Sequence, residues 1–136
     1  MSESRKSALK QFFVFSLMGA IGTAGHYAVL IALVEALSVD PVVASTAGFV
    51  VGAIINYLLN YHVTFGSDKP HLDAFAKFGL IALVGAILNG AIMRVAHGAL
   101  GAHYLVAQVV ATGVVLVFNF VLNKVWTFAE RTEREG

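Results

Sequence analysis

The sequence predicts an all-α membrane protein with four transmembrane helices, and three observations predict it. Of 136 residues, 58% are hydrophobic and only 12% charged, with a mean hydropathy of +0.79; a soluble domain carries about 25% charged residues. The apolar residues fall into four runs, each roughly the twenty-odd residues needed to cross hydrocarbon. One polar phrase set in apolar sequence occurs twice: Asn56-Tyr57-Leu58-Leu59-Asn60 with Thr64-Phe65, and Asn119-Phe120-Val121-Leu122-Asn123 with Thr127-Phe128. Backbone groups in hydrocarbon have no water to bond, and the runs are too long for barrel strands. Helices are the economical solution.

In chain order, Met1 to Lys10 is polar and basic and reads as an amphipathic lead-in at the membrane surface. The first span runs from Phe12 to about Val34, and Glu35, Ser38, Asp40 and Pro41 form a tight acidic turn. The second span, about Val42 to Tyr61, closes with the first asparagine block. Gly66 to Asp73 is the one substantial polar loop, rich in turn formers. The third span covers about Phe75 to Ala96, and a Gly-rich connection from His97 to Gly101 leads to the fourth, about Tyr104 to Trp126. Residues 1–11 are thus an N-terminal segment, 12–128 the four-helix domain and 129–136 a charged tail.

The nine Lys and Arg cluster between the apolar runs and at the ends. Arg5, Lys6, Lys10, Lys69, Lys77, Lys124, Arg131 and Arg134 fall on one side of a four-span topology. The two hairpin turns hold only Arg94, near Glu35 and Asp40. Both termini are expected to be cytoplasmic. Residues 10–65 resemble residues 76–128. Phe12 and Gly19 are set opposite Phe78 and Gly85, the asparagine blocks align at a slightly smaller offset, and the difference is assigned to the hairpin turn. Each copy is a two-helix hairpin, so the repeats are parallel rather than inverted.

Polar side chains inside the spans form seams. On the fourth helix Gln108, Thr112, Asn119 and Asn123 are spaced by four, seven and four, which keeps them within about 60° at 100° per residue. The second helix offers Ser45, Gly48, Gly52, Asn56 and Asn60, the first Ser16, Gly19, Thr23 and His26, and the third Gly85 with Asn89 in the place of Thr23. These faces are expected to turn inward. Two readings of the seams stay open: interhelical hydrogen bonding alone, or a polar track for a ligand.

The cations divide the same way. Lys10, Lys77 and Lys124 are either snorkelling anchors or, with Asn60 and Asn123, a phosphate-holding group at the cytoplasmic face. Arg94 either snorkels outward or receives an anionic headgroup on the far side. His26 is either a hydrogen-bonded core histidine or a proton-linked one. Trp126, Phe65 and Phe128 fit an aromatic interfacial belt.

Several classes are set aside. With no cysteine there is no disulfide framework and no thiolate metal site. The five histidines, His26, His62, His71, His97 and His103, are scattered. No nucleophile–base pair, phosphate-cradling glycine loop or large extramembrane domain is apparent, so no enzyme, metal or cofactor is expected. The net charge of +1 gives no reason to expect nucleic acid. The first apolar run is too long for a signal-peptide core. A small multidrug exporter, which also has four short helices, stays open as a third and weaker reading: the first helix here lacks a mid-span carboxylate, and the lysine asymmetry opposes dual insertion.

From Phe12 to Phe128 the chain resembles the GtrA-like family of small four-helix membrane proteins. The resemblance rests on Phe12 and Gly19, on Asn56 to Asn60 with Thr64-Phe65, and on Asn119 to Lys124 with Trp126-Thr127-Phe128. It implies a role in cell-surface polysaccharide synthesis in a prokaryotic cytoplasmic membrane. That role is either moving a monosaccharide linked to a polyprenyl phosphate such as undecaprenyl phosphate, or supporting a partner glycosyltransferase. Similar domains are fused to some dolichol-phosphate sugar synthases. The expected mechanism keeps the prenyl tail in lipid and sets the phosphate at Lys10, Lys77, Lys124, Asn60 and Asn123. The sugar then slides along Asn56, Asn119, Thr112, Gln108, Asn89 and Thr23. Four helices make a narrow bundle, so a groove open to lipid or a homodimer is expected.

Overall fold

A computed structural model describes residues 3–60 and 72–135, without the side chains of Asn60, of residues 123–135 and of a few positions near the helix starts. It consists of four helices: α1 (Glu3–Leu37), α2 (Pro41–Asn60), α3 (Leu72–Met93) and α4 (Tyr104–Glu135). Between α3 and α4 the chain continues as a π-helical segment, Arg94–Ala99. Among the described residues there is no strand. All four helices are long and apolar enough to cross a membrane.

The ends differ from expectation in instructive ways. The polar residues expected as a separate lead-in are already helical from Glu3, continuous with the first span. At the other end α4 runs on through the charged tail to Glu135. Its 32 residues span roughly 48 Å at 1.5 Å per residue, against about 30 Å of hydrocarbon. The polar loop expected at residues 66–73 lies mostly outside the described residues, as do Phe65 and the side chains of Trp126 and Phe128.

The chain divides into two compact units, Met1–Ala82 and Leu83–Gly136, the boundary falling within α3. In the first, α1 packs on α2 through small residues. A Cβ on Gly22 would lie 2.9 Å from the Gly52 carbonyl oxygen, and one on Gly52 would lie 2.7 Å from the Gly22 oxygen. Gly48 is as tight, its Cβ position 2.5 Å from the His26 carbonyl oxygen. Such approach brings backbone against backbone, the close dispersion contact that drives helix association where lipid is as apolar as the helix. The α1 residues buried in this unit are Met18, Gly22, His26 and Leu30. Ser16 and Thr23, expected on the inward face, are exposed. They lie around the helix from that stripe.

Burial also corrects the internal alignment. The buried residues of α2 are Ala44, Ser45, Gly48 and Gly52, and those of α4 include Ala107, Gln108, Ala111 and Val115. Each pair is 63 residues apart, the spacing of Asn56 and Asn119. Gly22, His26 and Leu30 stand at the same spacing from Gly85, Asn89 and Met93, the residues buried among those described in α3. The described buried positions of the two halves therefore share one spacing. It pairs Phe12 with Phe75, Phe15 with Phe78 and Gly22 with Gly85. The equivalent of Asn89 is His26, not Thr23.

Two features of the turns recur in that register. Ser38 and Gly101 both take positive φ, 53° and 73°. Val39 N–H donates to the Leu33 carbonyl at 3.0 Å, and Ala102 N–H to that of Ala96 at 2.9 Å. Asp40 Oδ2 caps α2 by accepting from Val42 N–H at 3.1 Å and Val43 N–H at 3.3 Å. In the second turn His103 Nδ1 accepts from Leu105 N–H at 3.2 Å. A carboxylate and an imidazole thus perform one capping task. The turns are therefore alike, and no length difference between the halves lies in them.

Candidate substrate-binding site

Asparagine in a membrane helix must find a partner or a polar space, because its amide loses water on entering hydrocarbon. In the first unit Asn56 is part-buried beside the glycine notch, and a Cβ on Gly22 would stand 3.2 Å from the Asn56 Cβ. One turn deeper, His26 is 7% exposed. Its ring is met edge-on by Tyr27 at 5.4 Å and by Phe49 at 5.8 Å. Ser45 is also buried in this hairpin.

In the second unit Gln108 Nε2 donates to Asn89 Oδ1 at 2.9 Å, and lies 3.4 Å from Thr112 Oγ1. Gln108 and Asn89 are fully buried. Thr112 and Asn119 are part-buried on the same side of α4. Asn89, Gln108 and Thr112 are thus brought together and bonded to one another. Under the 63-residue register the partners of this cross-link, Asn89 and Gln108, correspond to His26 and Ser45. His26 and Ser45, like Asn89 and Gln108, are buried.

Lys10, Lys77 and Arg94 are exposed. Arg94 opens the π-helical segment, whose winding is followed by a bond from Leu100 N–H to the Val95 carbonyl at 2.9 Å. The segment is closed by His97, whose Nδ1 lies 2.8 Å from the Ala102 carbonyl oxygen and donates to it. The side chains of Asn60, Asn123 and Lys124, expected to hold a phosphate, lie outside the described residues. Among the described residues no three His, Asp or Glu come together as a metal site.

Sequence reasoning missed the Tyr57 ring cluster with Phe75 and Phe78, the π-helical segment, and the equivalence of Asp40 with His103. The cluster had a signal, since Phe75 and Phe78 repeat Phe12 and Phe15. The π-helical winding had none that we can identify.

Comparison with known proteins agrees with the architecture. Residues 14–128 match the family described as GtrA/DPMS, transmembrane domain. The chain is similar to a Bacillus subtilis (strain 168) protein described as uncharacterized membrane protein YwcD. The identity is 23% over 127 residues, covering 90% of this chain and 99% of the relative. No solved structure matches.

Proposed function

The chain belongs to the GtrA/DPMS transmembrane-domain family, and from that premise we propose that it moves a polyprenyl-phosphate-linked monosaccharide across the cytoplasmic membrane of a prokaryote. The observation that carries the reading is the duplicated asparagine block, which puts Asn56 and Asn119 part-buried on two helices long and apolar enough to cross a membrane. Unpaired sugar hydroxyls cost several kcal/mol each in hydrocarbon. Carboxamides that both donate and accept reduce that cost.

In this reading both termini are cytoplasmic, because the cations gather on their side. Lys10, Lys77 and Lys124 with Asn60 and Asn123 receive the phosphate, the prenyl chain stays in lipid, and no covalent step is assigned to the protein. The weight of the track falls on Asn56 and Asn119, since Asn89 and Gln108 are engaged with each other. Arg94, on the far side, receives the headgroup on arrival, and His26 shapes the first hairpin.

The test is transbilayer movement of a lipid-linked sugar by the purified protein in vesicles. Asn60→Ala, Asn123→Ala and Lys124→Ala are each expected to slow it. Wild-type rates in all three remove the headgroup site.

A second reading has its own support. Helix α4 continues to Glu135 through the charged residues Glu130, Arg131, Glu133 and Arg134. A charged helix end suits a docking platform for a partner glycosyltransferase. Co-purification of such an enzyme, together with no movement of lipid-linked sugar by the purified protein, favours this reading.

A further inference from the structure

One buried polar position is titratable in the first half of the chain and not in the second. His26 and Asn89 stand 63 residues apart, and both are buried. Asn89 bonds Gln108 through an amide that cannot change charge. His26 offers an imidazole, the side chain that can gain a proton between about pH 8 and pH 5. What distinguishes the two positions chemically is that proton.

The surroundings of His26 are closed by backbone and hold no counter-charge. A Cβ on Gly48 would lie 2.5 Å from the His26 carbonyl oxygen and 2.8 Å from its ring Cδ2, and a Cβ on Gly52 would lie 3.0 Å from the His26 Cβ. The rings of Tyr27 and Phe49 complete the enclosure. On α1 no charged residue occurs between Lys10 and Glu35. Glu35 is nine residues from His26, about 13.5 Å along the helix at 1.5 Å per residue. Helix α2 has no charged residue, and its titratable side chain, Tyr57, is eight residues beyond Phe49, about 12 Å along the helix. The ionisable residues of α3 are Asp73 and Lys77 in its first turns, with Arg94 directly after its end. Helix α4 begins with Tyr104 and carries its charges from Lys124 onward. His62, His71, His97 and His103 lie outside all four helices.

We propose that His26 is a proton switch in the α1–α2 joint: uptake of one proton from water by its ring parts the two helices along Gly22, Gly48 and Gly52 and admits water to the seam. A cation enclosed by glycine backbone and aromatic rings, with no carboxylate in reach, is desolvated without compensation. Opening the seam lets water solvate it. Loss of the proton to that water restores the backbone contact that the glycines allow. Proton binding and opening are reciprocal, each changing the other by the same factor. The first hairpin thus has a closed and an open form selected by pH, whatever ligand the protein moves.

The sequence has no cysteine, so nitroxide labels can be carried by Leu17→Cys on α1 and Leu58→Cys on α2, both exposed positions. The distance between the labels is measured by double electron–electron resonance on the full chain in lipid nanodiscs, at about pH 8 and about pH 5. The expected result is a longer and broader distance at the lower pH, reversed on return to the higher. The response is expected to vanish in His26→Asn, which copies the second half of the chain, and in His26→Gln, with helicity by circular dichroism as the folding control. Two variants guard against one that fails to fold. A label distance that stays the same at both pH values with His26 in place overturns the proposal. A shift that persists in either folded variant overturns it too, because the acid response then belongs to another group.

Discussion

Gln108 Nε2 donates to Asn89 Oδ1 at 2.9 Å between two helices, and both side chains are fully buried. An amide left alone at that level keeps its desolvation cost without its bond, whereas two apolar side chains of similar size restore packing. Asn89→Leu and Gln108→Leu are each expected to lower stability by about 1–2 kcal/mol. The double replacement is expected to cost clearly less than the sum of the two. Reversible unfolding in mixed micelles measures all three. Strictly additive losses would show that the amides are not coupled.

The glycines give a sharper contrast. Gly52→Ala drives a methyl to within 2.7 Å of the Gly22 carbonyl oxygen, a backbone atom with no rotamer by which to retreat. A loss of about 1–3 kcal/mol is expected from overpacking. Gly113→Ala meets nothing within 4 Å, and replacing a helical glycine gains up to about 1 kcal/mol. The same unfolding assay decides. If both alanines are tolerated alike, the helices α1 and α2 are not packed backbone to backbone.

The paired turns predict opposite signs for similar substitutions. Ser38 sits at φ 53°, where an L side chain is strained, and Gly101 sits at φ 73° without that strain. Ser38→Gly is expected to gain up to about 1 kcal/mol, and Gly101→Ala to lose about 1–2 kcal/mol. A gain from Gly101→Ala would mean the second turn adopts another backbone path in the membrane.

The four spans and the duplicated asparagine block were legible because composition and literal repetition need no geometry. The register was harder, for a physical reason. Setting Phe12 opposite Phe78 slips the helix by three residues relative to Phe75, and a three-residue slip returns to nearly the same side of an α-helix. A wrong alignment therefore still matched aromatic with aromatic and glycine with glycine, as Gly19 with Gly85. Burial broke the tie, because it selects Gly22, His26 and Leu30, and Thr23 falls outside that stripe. The bond between Asn89 and Gln108 was legible only as two alternatives, since spacing shows that two amides face inward but not whether they face each other.

That last ambiguity becomes a functional prediction. Asn89 and Gln108 already hold one another, so a passing sugar must break their bond to use them, and little is gained from the exchange. Asn56 and Asn119, from the duplicated block, are part-buried and are the residues assigned to the track. Losing one hydrogen bond to a hydroxyl in a low-dielectric passage raises the barrier by about 1–3 kcal/mol, which slows movement by about fivefold or more. Asn56→Leu and Asn119→Leu are therefore expected to slow transbilayer movement of a lipid-linked sugar by at least about that factor. The Asn89→Leu/Gln108→Leu double variant, which leaves no amide exposed in the core, is expected to stay within a few-fold of wild type. The measurement is the initial rate in vesicles of matched protein content, with helicity by circular dichroism as the folding control. The reverse order, with Asn56→Leu and Asn119→Leu active and the double variant inactive, would place the sugar's path through the second hairpin and remove the asparagine blocks from the mechanism.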